Sequence, residues 1–172
     1  MIVRAIKALW RYLAIKKDPV CYARKMGARI GDNVRLIGFD YRTFGSEPYL
    51  VSIGNNVTIT GQTRIITHDG AVSVFREKEP DIELCRPVVI GDNVFIGFRS
   101  IILSGVTIGN NVIIGAGSVV TTDIPDNSVA AGTPAKVIRT LDEYRNKIDP
   151  LVIKRTWSNE EEKRDILSKM FR

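Results

Sequence analysis

The 172-residue chain lacks long apolar runs and has few cysteines and histidines, and these shortages exclude several classes of protein. No apolar run approaches the roughly 18 residues of a membrane-spanning helix. The N-terminal stretch MIVRAIKALWRYLAIKK is interrupted by charge too often to be the apolar core of a secretory signal. Cys21 and Cys85 are too few and too poorly spaced for a disulfide framework or a zinc site. We therefore expect one cytoplasmic domain with appendages, its two thiols reduced.

A six-residue repeat organises the middle of the chain. From Ile90 it reads IGDNVF, IGFRSI, ILSGVT, IGNNVI, IGAGSV and VTTDIP, and the pattern also occurs from Ile53 and from Ile30. Six matches neither the period of a helix nor the alternation of a simple strand. A short strand followed by a Gly-Asn type of turn fits, with the leading aliphatic residue and the small fifth residue pointing inward. Parallel stacking of such coils predicts an all-β solenoid over residues 30–139.

The repeat is interrupted twice. The leading positions Leu36 and Ile53 are 17 residues apart, and Ile65 and Ile90 are 25 apart. The first gap places FGSEPY in a loop, and the second predicts that residues 70–87 leave the solenoid. His68, the only histidine of the chain, stands at the start of this second excursion. Loops that leave a rigid scaffold are common positions for functional sites.

Both ends of the chain are predicted to be helical. The N-terminal helix has an apolar stripe at helical spacing, formed by Ile2, Ile6, Leu9, Trp10 and Leu13. Near the C-terminus, Ser158 with Glu161 resembles a capping box that opens a helix ending at about Met170. The chain then divides into a basic amphipathic segment (1–29), the solenoid (30–139) and a helical tail (140–172).

The positive charge is concentrated in the first segment. Residues 1–29 contain eight basic residues and one acidic residue, a net charge of +7, whereas the remainder has 17 basic and 18 acidic residues, a net charge of −1. Two interpretations are open. The apolar stripe packs on the end of the solenoid while its charges are solvated, or residues 1–29 contact an anionic membrane surface. A nucleic-acid partner is not expected, because no groove-reading motif accompanies the charge.

The stretch VVIGDNVFIGFRSIILSGVTIGNNVIIGAGSVVTTDIPDNSVAAGTPAKVIR, residues 88–139, resembles the C-terminal half of the hexapeptide-repeat acyltransferases. It resembles in particular the galactoside and maltose acetyltransferases and the sugar O-acetyltransferases of bacterial surface-polysaccharide pathways. The resemblance implies a left-handed parallel β-helix and a homotrimer. It also implies that acetyl-CoA, as co-substrate, lies in a groove between neighbouring subunits, and that no metal is needed.

The same resemblance assigns roles to individual residues. His68 in THDG stands where those enzymes have a histidine, which implies a general base for the attack of a sugar hydroxyl on the thioester. The implied coenzyme A contacts are Phe98, Ala116, Thr121, Thr122, Lys136 and Arg139. The candidates for binding the acceptor sugar are Asp40, Glu47 and Tyr49. Asp69, next to the histidine, is a candidate for orienting its ring.

Three alternatives compete with sugar O-acetylation. An amine acceptor, such as an amino-sugar nucleotide, would use the same fold and the same residues. A hexapeptide-repeat carbonic anhydrase is disfavoured, because that site needs three histidines from different positions and this chain has one. A non-enzymatic scaffold is disfavoured because both THDG and PAKVIR are present.

Overall fold

The computed structural model describes residues 2–171, apart from the side chains at positions 2, 3 and 5, so the predicted contribution of Ile2 to the apolar stripe lies outside the described part. Twelve short strands form three parallel sheets, and consecutive strands within a coil lie in different sheets. The first sheet contains β1 (Arg29–Ile30), β3 (Val51–Ile53), β6 (Val88–Ile90) and β9 (Thr107–Ile108). The second contains β2 (Arg35–Leu36), β4 (Thr58–Ile59), β7 (Val94–Ile96), β10 (Val112–Ile114) and β12 (Ser128–Gly132). The third contains β5 (Arg64–Ile65), β8 (Ile101–Ile102) and β11 (Val119–Val120).

The strands stack in the register that the repeat predicts. Ile53 lies opposite Ile90, and Ile96 lies opposite Ile114, so leading residues form continuous columns. The leading residues from Ile90 to Val120 and the small fifth residues from Val94 to Ser118 are all buried. The buried hydroxyls of Ser100 and Ser118 donate to the carbonyls of Gly97 and Gly115. The prediction that both positions of the repeat point inward is confirmed.

The corner between the first and second sheets is built by Gly-Asp-Asn and Gly-Asn-Asn turns and, in the last coil, by a Pro-Asp-Asn turn. Asn33, Asn56, Asn93, Asn111 and Asn127 all have φ between 53° and 57°. This left-handed conformation is one that asparagine tolerates better than other residues with a side chain. The side chains also bond along the stack: the Asn93 amide donates to Asn111 at 2.8 Å, and the Asn111 amide donates to Asn127 at 3.0 Å.

We expect Asn111→Ala to lower the free energy of unfolding by about 1–3 kcal/mol, because it loses the two amide bonds and places alanine in the left-handed region. Asn111→Gly loses the same bonds without the backbone strain, so its loss should be smaller than that of the alanine variant. Chemical denaturation of both variants measures the difference. Equal stability of the two variants would show that the backbone conformation contributes nothing.

The two interruptions of the repeat occur at the same corner, each just before a strand of the first sheet. The first covers residues 37–50 and precedes β3; the second covers residues 66–87 and precedes β6. The second begins earlier than the predicted residue 70, because His68 already forms an antiparallel bridge with Cys85. The Arg86 amide donates to the Thr67 carbonyl at 2.8 Å and so closes the base of the loop. Both cysteines are free and exposed.

The N-terminal segment forms two helices rather than one. Helix α1 (Ile2–Lys17) ends where Asp18 caps α2 (Pro19–Lys25) by accepting from the Cys21 amide. Tyr22 and Ala23 of α2 are buried against the first coil. Within residues 2–171 no helix is both long and apolar enough to cross a membrane.

The C-terminal end of the solenoid closes with a hairpin that the repeat does not predict. Strand β13 (Ala135–Thr140) pairs antiparallel with β12 and continues into α3 (Leu141–Ile148). A capping box between Thr140 and Glu143 opens α3. A 3₁₀ turn (Asp149–Leu151) follows.

The last helix, α4 (Glu160–Met170), begins one residue later than a Ser158 cap would place it. Asn159 caps α4 by accepting from the Glu162 amide, and the Glu162 carboxylate accepts from the amide and hydroxyl of Ser158. The predicted capping box of Ser158 with Glu161 is therefore wrong by one position, because Asn159 supplies an equally good acceptor closer to the helix.

Candidate active site

His68 lies against Glu47, which comes from the other interruption of the repeat. The ring nitrogen Nδ1 is 2.9 Å from Glu47 Oε2, and the Thr67 hydroxyl donates to the same oxygen at 2.7 Å. The Glu47 side chain is 18% exposed and that of His68 is 43% exposed. The carboxylate is thus held inside, while the imidazole remains accessible to a substrate.

The environment of Glu47 favours its ionised form. Burial alone raises the pKa of this carboxyl, but hydrogen bonds from His68, Thr67 and Ser46 outweigh burial and hold the pKa below its ordinary range. An ionised carboxylate only accepts hydrogen bonds, so in neutral His68 the proton sits on Nδ1. The other nitrogen, Nε2, then presents a free lone pair. This is the tautomer that a general base requires.

A cleft of about 170 Å³ opens beside the histidine. Ser46 and Glu47 line one side of it, and Asp69, Arg76 and Cys85 from the second loop line the other. In the part of the chain that the structure describes, no cluster of three His, Cys, Asp or Glu side chains is placed to hold a metal ion.

The predicted partners of His68 and of the acceptor are arranged differently from expectation. Asp69 does not orient the ring, because its carboxylate accepts from the Ala71 amide at 2.9 Å and caps the 3₁₀ helix Gly70–Phe75. Glu47, predicted as an acceptor ligand, supplies that orientation instead. Asp40 pairs with Arg64 at 3.1 Å, and Tyr49 is exposed; neither lines the cleft beside His68.

Sequence reasoning named Glu47 but missed its contact with His68. A signal was available, since both interruptions precede strands of the same sheet. Strands β3 and β6 pair directly, with Val51 opposite Val88, so the loops that enter them must be neighbours in space.

The residues assigned to coenzyme A lie along the outside of the later coils. Phe98 and Ala116 share the corner between the second and third sheets, where the Gly117 amide donates to the Phe98 carbonyl at 2.7 Å. Phe98 is 45% exposed. Thr121 and Thr122 follow β11, and Lys136 and Arg139 lie on β13. Within the part of the chain that the structure describes, none of these six residues lines the cleft beside His68.

Comparison with known proteins agrees with this architecture. The family model described as bacterial transferase hexapeptide (six repeats) matches residues 87–122. The chain is 57% identical over 125 residues to Protein CapG of Staphylococcus aureus, covering 73% of each chain. It is 40% identical over 116 residues to the galactoside O-acetyltransferase of Escherichia coli, covering 66% of this chain and 57% of that protein.

Solved structures give the same result. A hexapeptide-repeat acetyltransferase of Vibrio cholerae, crystallised with acetyl-coenzyme A, superposes with a TM-score of 0.54 at 31% identity, over 67% of this chain and 61% of that one. The chain belongs to the hexapeptide-repeat transferase family. Within that family it is an acyl-CoA-dependent acetyltransferase, and acetyl-CoA is its co-substrate. These comparisons confirm that residues 88–139 resemble the hexapeptide-repeat acyltransferases.

Proposed function

We propose that the protein transfers an acetyl group from acetyl-CoA to a hydroxyl of a sugar that belongs to a surface polysaccharide or its precursor, with His68 as the general base. The observation that carries this proposal is the Glu47–His68 pair, which leaves one imidazole nitrogen free at the edge of a cleft. The similarity to a galactoside O-acetyltransferase supports a sugar hydroxyl as the acceptor.

The transfer is direct in this proposal. Glu47 holds the Nδ1 proton, and Nε2 of His68 accepts the proton of the acceptor hydroxyl as that oxygen attacks the thioester carbon. A backbone N–H donates to the oxyanion of the tetrahedral intermediate. As the carbon–sulfur bond breaks, His68 returns the proton to the departing thiolate. The products are the acetyl ester and free CoA, and no acyl-enzyme forms.

We further infer that the coils wind left-handed and that three copies assemble, with acetyl-CoA between neighbours. The handedness and the number of copies rest on the family resemblance, and two features support a donor site on the outer edge of the coils. Phe98 and Ala116 form an exposed edge on the same corner, and Lys136 and Arg139 supply cations for the phosphates. In one chain these residues are separate from the His68 cleft. In this proposal the coenzyme A residues of one copy lie beside the His68 cleft of its neighbour. We place the reaction in the cytoplasm.

The function is tested by incubating the full chain with acetyl-CoA and a panel of hydroxyl sugars and amino sugars. We expect acceptor-dependent release of CoA thiol and a product one acetyl group heavier than the acceptor. Hydroxylamine should remove that group, because it cleaves esters and leaves amides intact. A product that resists hydroxylamine would establish an amine acceptor and overturn O-acetylation.

Glu47→Gln tests the positioning of His68. We expect kcat to fall by about 10–100-fold with the KM for acetyl-CoA unchanged, because the glutamine amide can donate as well as accept and no longer fixes the tautomer of the ring. Glu79→Gln, an exposed carboxylate in the loop of His68 that does not line the cleft, is the matched control. A loss of similar size in both variants would show that the effect is not specific to the pair.

The same variant should change the stability of the protein in acid. Since the pKa of Glu47 is lowered by folding, its carboxylate stabilises the native state above the ordinary glutamate pKa of about 4.3. This contribution is lost as the pH falls through the lower pKa of the folded protein. Thermal unfolding between about pH 6 and about pH 3 should therefore show a smaller acid-induced loss in Glu47→Gln than in the wild type.

A further inference from the structure

Four apolar side chains of helix α1 are more than half exposed. Ile6, Leu9, Trp10 and Leu13, here called the exposed stripe, have between 54% and 62% of their surface accessible. Arg11, on the opposite side of the helix from Leu9 and Leu13, faces inward. Its guanidinium carbon lies 5.0 Å from the centre of the Tyr41 ring.

The end of the solenoid is covered by α2 and not by the exposed stripe. Tyr22 and Ala23 of α2 are buried, and Ala23 belongs to the hydrophobic core. In contrast, every described side chain of α1 from Arg4 to Leu13 is exposed. Capping of the first coil therefore does not account for the exposed stripe, and within residues 2–171 nothing covers it.

The charge of α1 indicates which kind of partner binds the exposed stripe. The helix carries five basic residues, Arg4, Lys7, Arg11, Lys16 and Lys17, and no acidic residue. An apolar face with a tryptophan on a purely cationic helix is complementary to an anionic lipid surface. A second copy of the chain offers no such complement, because its own α1 is cationic and residues 30–172 carry a net charge of only −1.

The groove beneath α1 and the cleft beside His68 share one lining residue. A groove of about 760 Å³ runs beneath the helix, bordered by Ile6 and Trp10. It extends to Ser46, which also lines the cleft beside His68. A bilayer in contact with α1 would therefore lie next to a groove that shares Ser46 with the His68 cleft.

We propose that α1 binds the surface of an anionic membrane. The exposed stripe inserts into the boundary between headgroups and acyl chains, and the lysines at the C-terminal end of α1, Lys16 and Lys17, contact lipid phosphates. This places the His68 cleft beside glycans displayed at the membrane. The consequence for the acceptor rests on the proposed function, whereas membrane binding itself does not.

Sedimentation of the full chain with vesicles tests the proposal. We expect binding to vesicles of equal parts phosphatidylglycerol and phosphatidylcholine at low salt, weaker binding at about 0.5 M salt, and little binding to pure phosphatidylcholine. The double variant Leu9→Ser, Leu13→Ser should bind at least about tenfold more weakly, because two exposed leucines no longer insert. Lys16→Glu with Lys17→Glu, which leaves the apolar side chains intact, should also weaken binding to the anionic vesicles.

The matched control is Val74→Ser with Leu151→Ser, which removes two apolar side chains that are 75% and 73% exposed elsewhere on the surface. This control should bind vesicles like the wild type. Unchanged binding of the Leu9, Leu13 variant would overturn the proposal, as would absence of binding at low salt. A smaller oligomer in that variant without any lipid binding would instead assign the exposed stripe to a second copy. Acetyl transfer to a soluble sugar should be unaffected, so vesicle binding without acetyl transfer would contradict the proposed function alone.

Discussion

His68→Ala should lower kcat for acetyl transfer by about 10²–10⁴-fold, the usual contribution of a general base. The variant loses the nitrogen that takes the proton of the acceptor hydroxyl, and the neighbouring carboxylate of Glu47 points at Nδ1 of the missing ring. The KM for acetyl-CoA should change little, because the residues assigned to coenzyme A lie apart from the cleft in the single chain. Acceptor-dependent release of CoA thiol measures both parameters.

Two further measurements make this result specific to the imidazole. The unfolding midpoint of His68→Ala should stay close to that of the wild type, because the side chain is 43% exposed and makes one hydrogen bond within the described residues. Added imidazole should restore part of the lost rate, since it supplies the missing base in the vacated space. Full activity in the variant would refute the assigned mechanism.

Ile108→Ala should lower the free energy of unfolding by about 2–5 kcal/mol, the range for deleting a large aliphatic side chain from a core. Ile108 is fully buried and stacks between Ile90 and Ile124 in neighbouring coils. The alanine leaves a cavity at the centre of the solenoid, where rigid coils on both sides limit collapse. Chemical denaturation gives the difference.

Thr107→Ala provides the comparison, since Thr107 precedes Ile108 in β9 and its side chain points outward. We expect a change within about 0.5 kcal/mol for this exposed position. Similar losses in the two variants would show that the six-residue repeat does not define the buried face of the coil.

Much of the fold was predictable because the repeat is a local pattern with one physical solution. Each coil needs an aliphatic residue inside, a small residue inside and a turn between them, and these requirements recur without help from distant segments. The predicted burial of Ile96 and Ser100 follows directly from this periodicity. The hairpin of β12 and β13 was not predicted, because it lies where the repeat ends and antiparallel pairing replaces stacking.

The arrangement of the site depends on contacts between residues far apart in the chain. His68 could be singled out in the sequence because it is the only histidine and stands at a break in the repeat. Its partner was harder to single out, because Glu47, Asp69 and Asp40 are all carboxylates near a loop and the choice between them requires the pairing of the coils. Only the pairing of β3 with β6 brings the loop of Glu47 onto His68, while local hydrogen bonding draws Asp69 to the Ala71 amide.

In helix α1, too, some features follow from the sequence and one is decided by the packing. Its amphipathic spacing and its positive charge are plain in the chain, and both predict a helix with one apolar side. The direction of that side was open, since periodicity sets which residues share a face and not what the face meets. The packing of α2 against the first coil and of Arg11 against Tyr41 leaves the apolar side exposed. Short-range periodicity therefore sufficed for the coil and the helix, whereas the histidine's partner and the direction of the exposed stripe were decided by long-range packing.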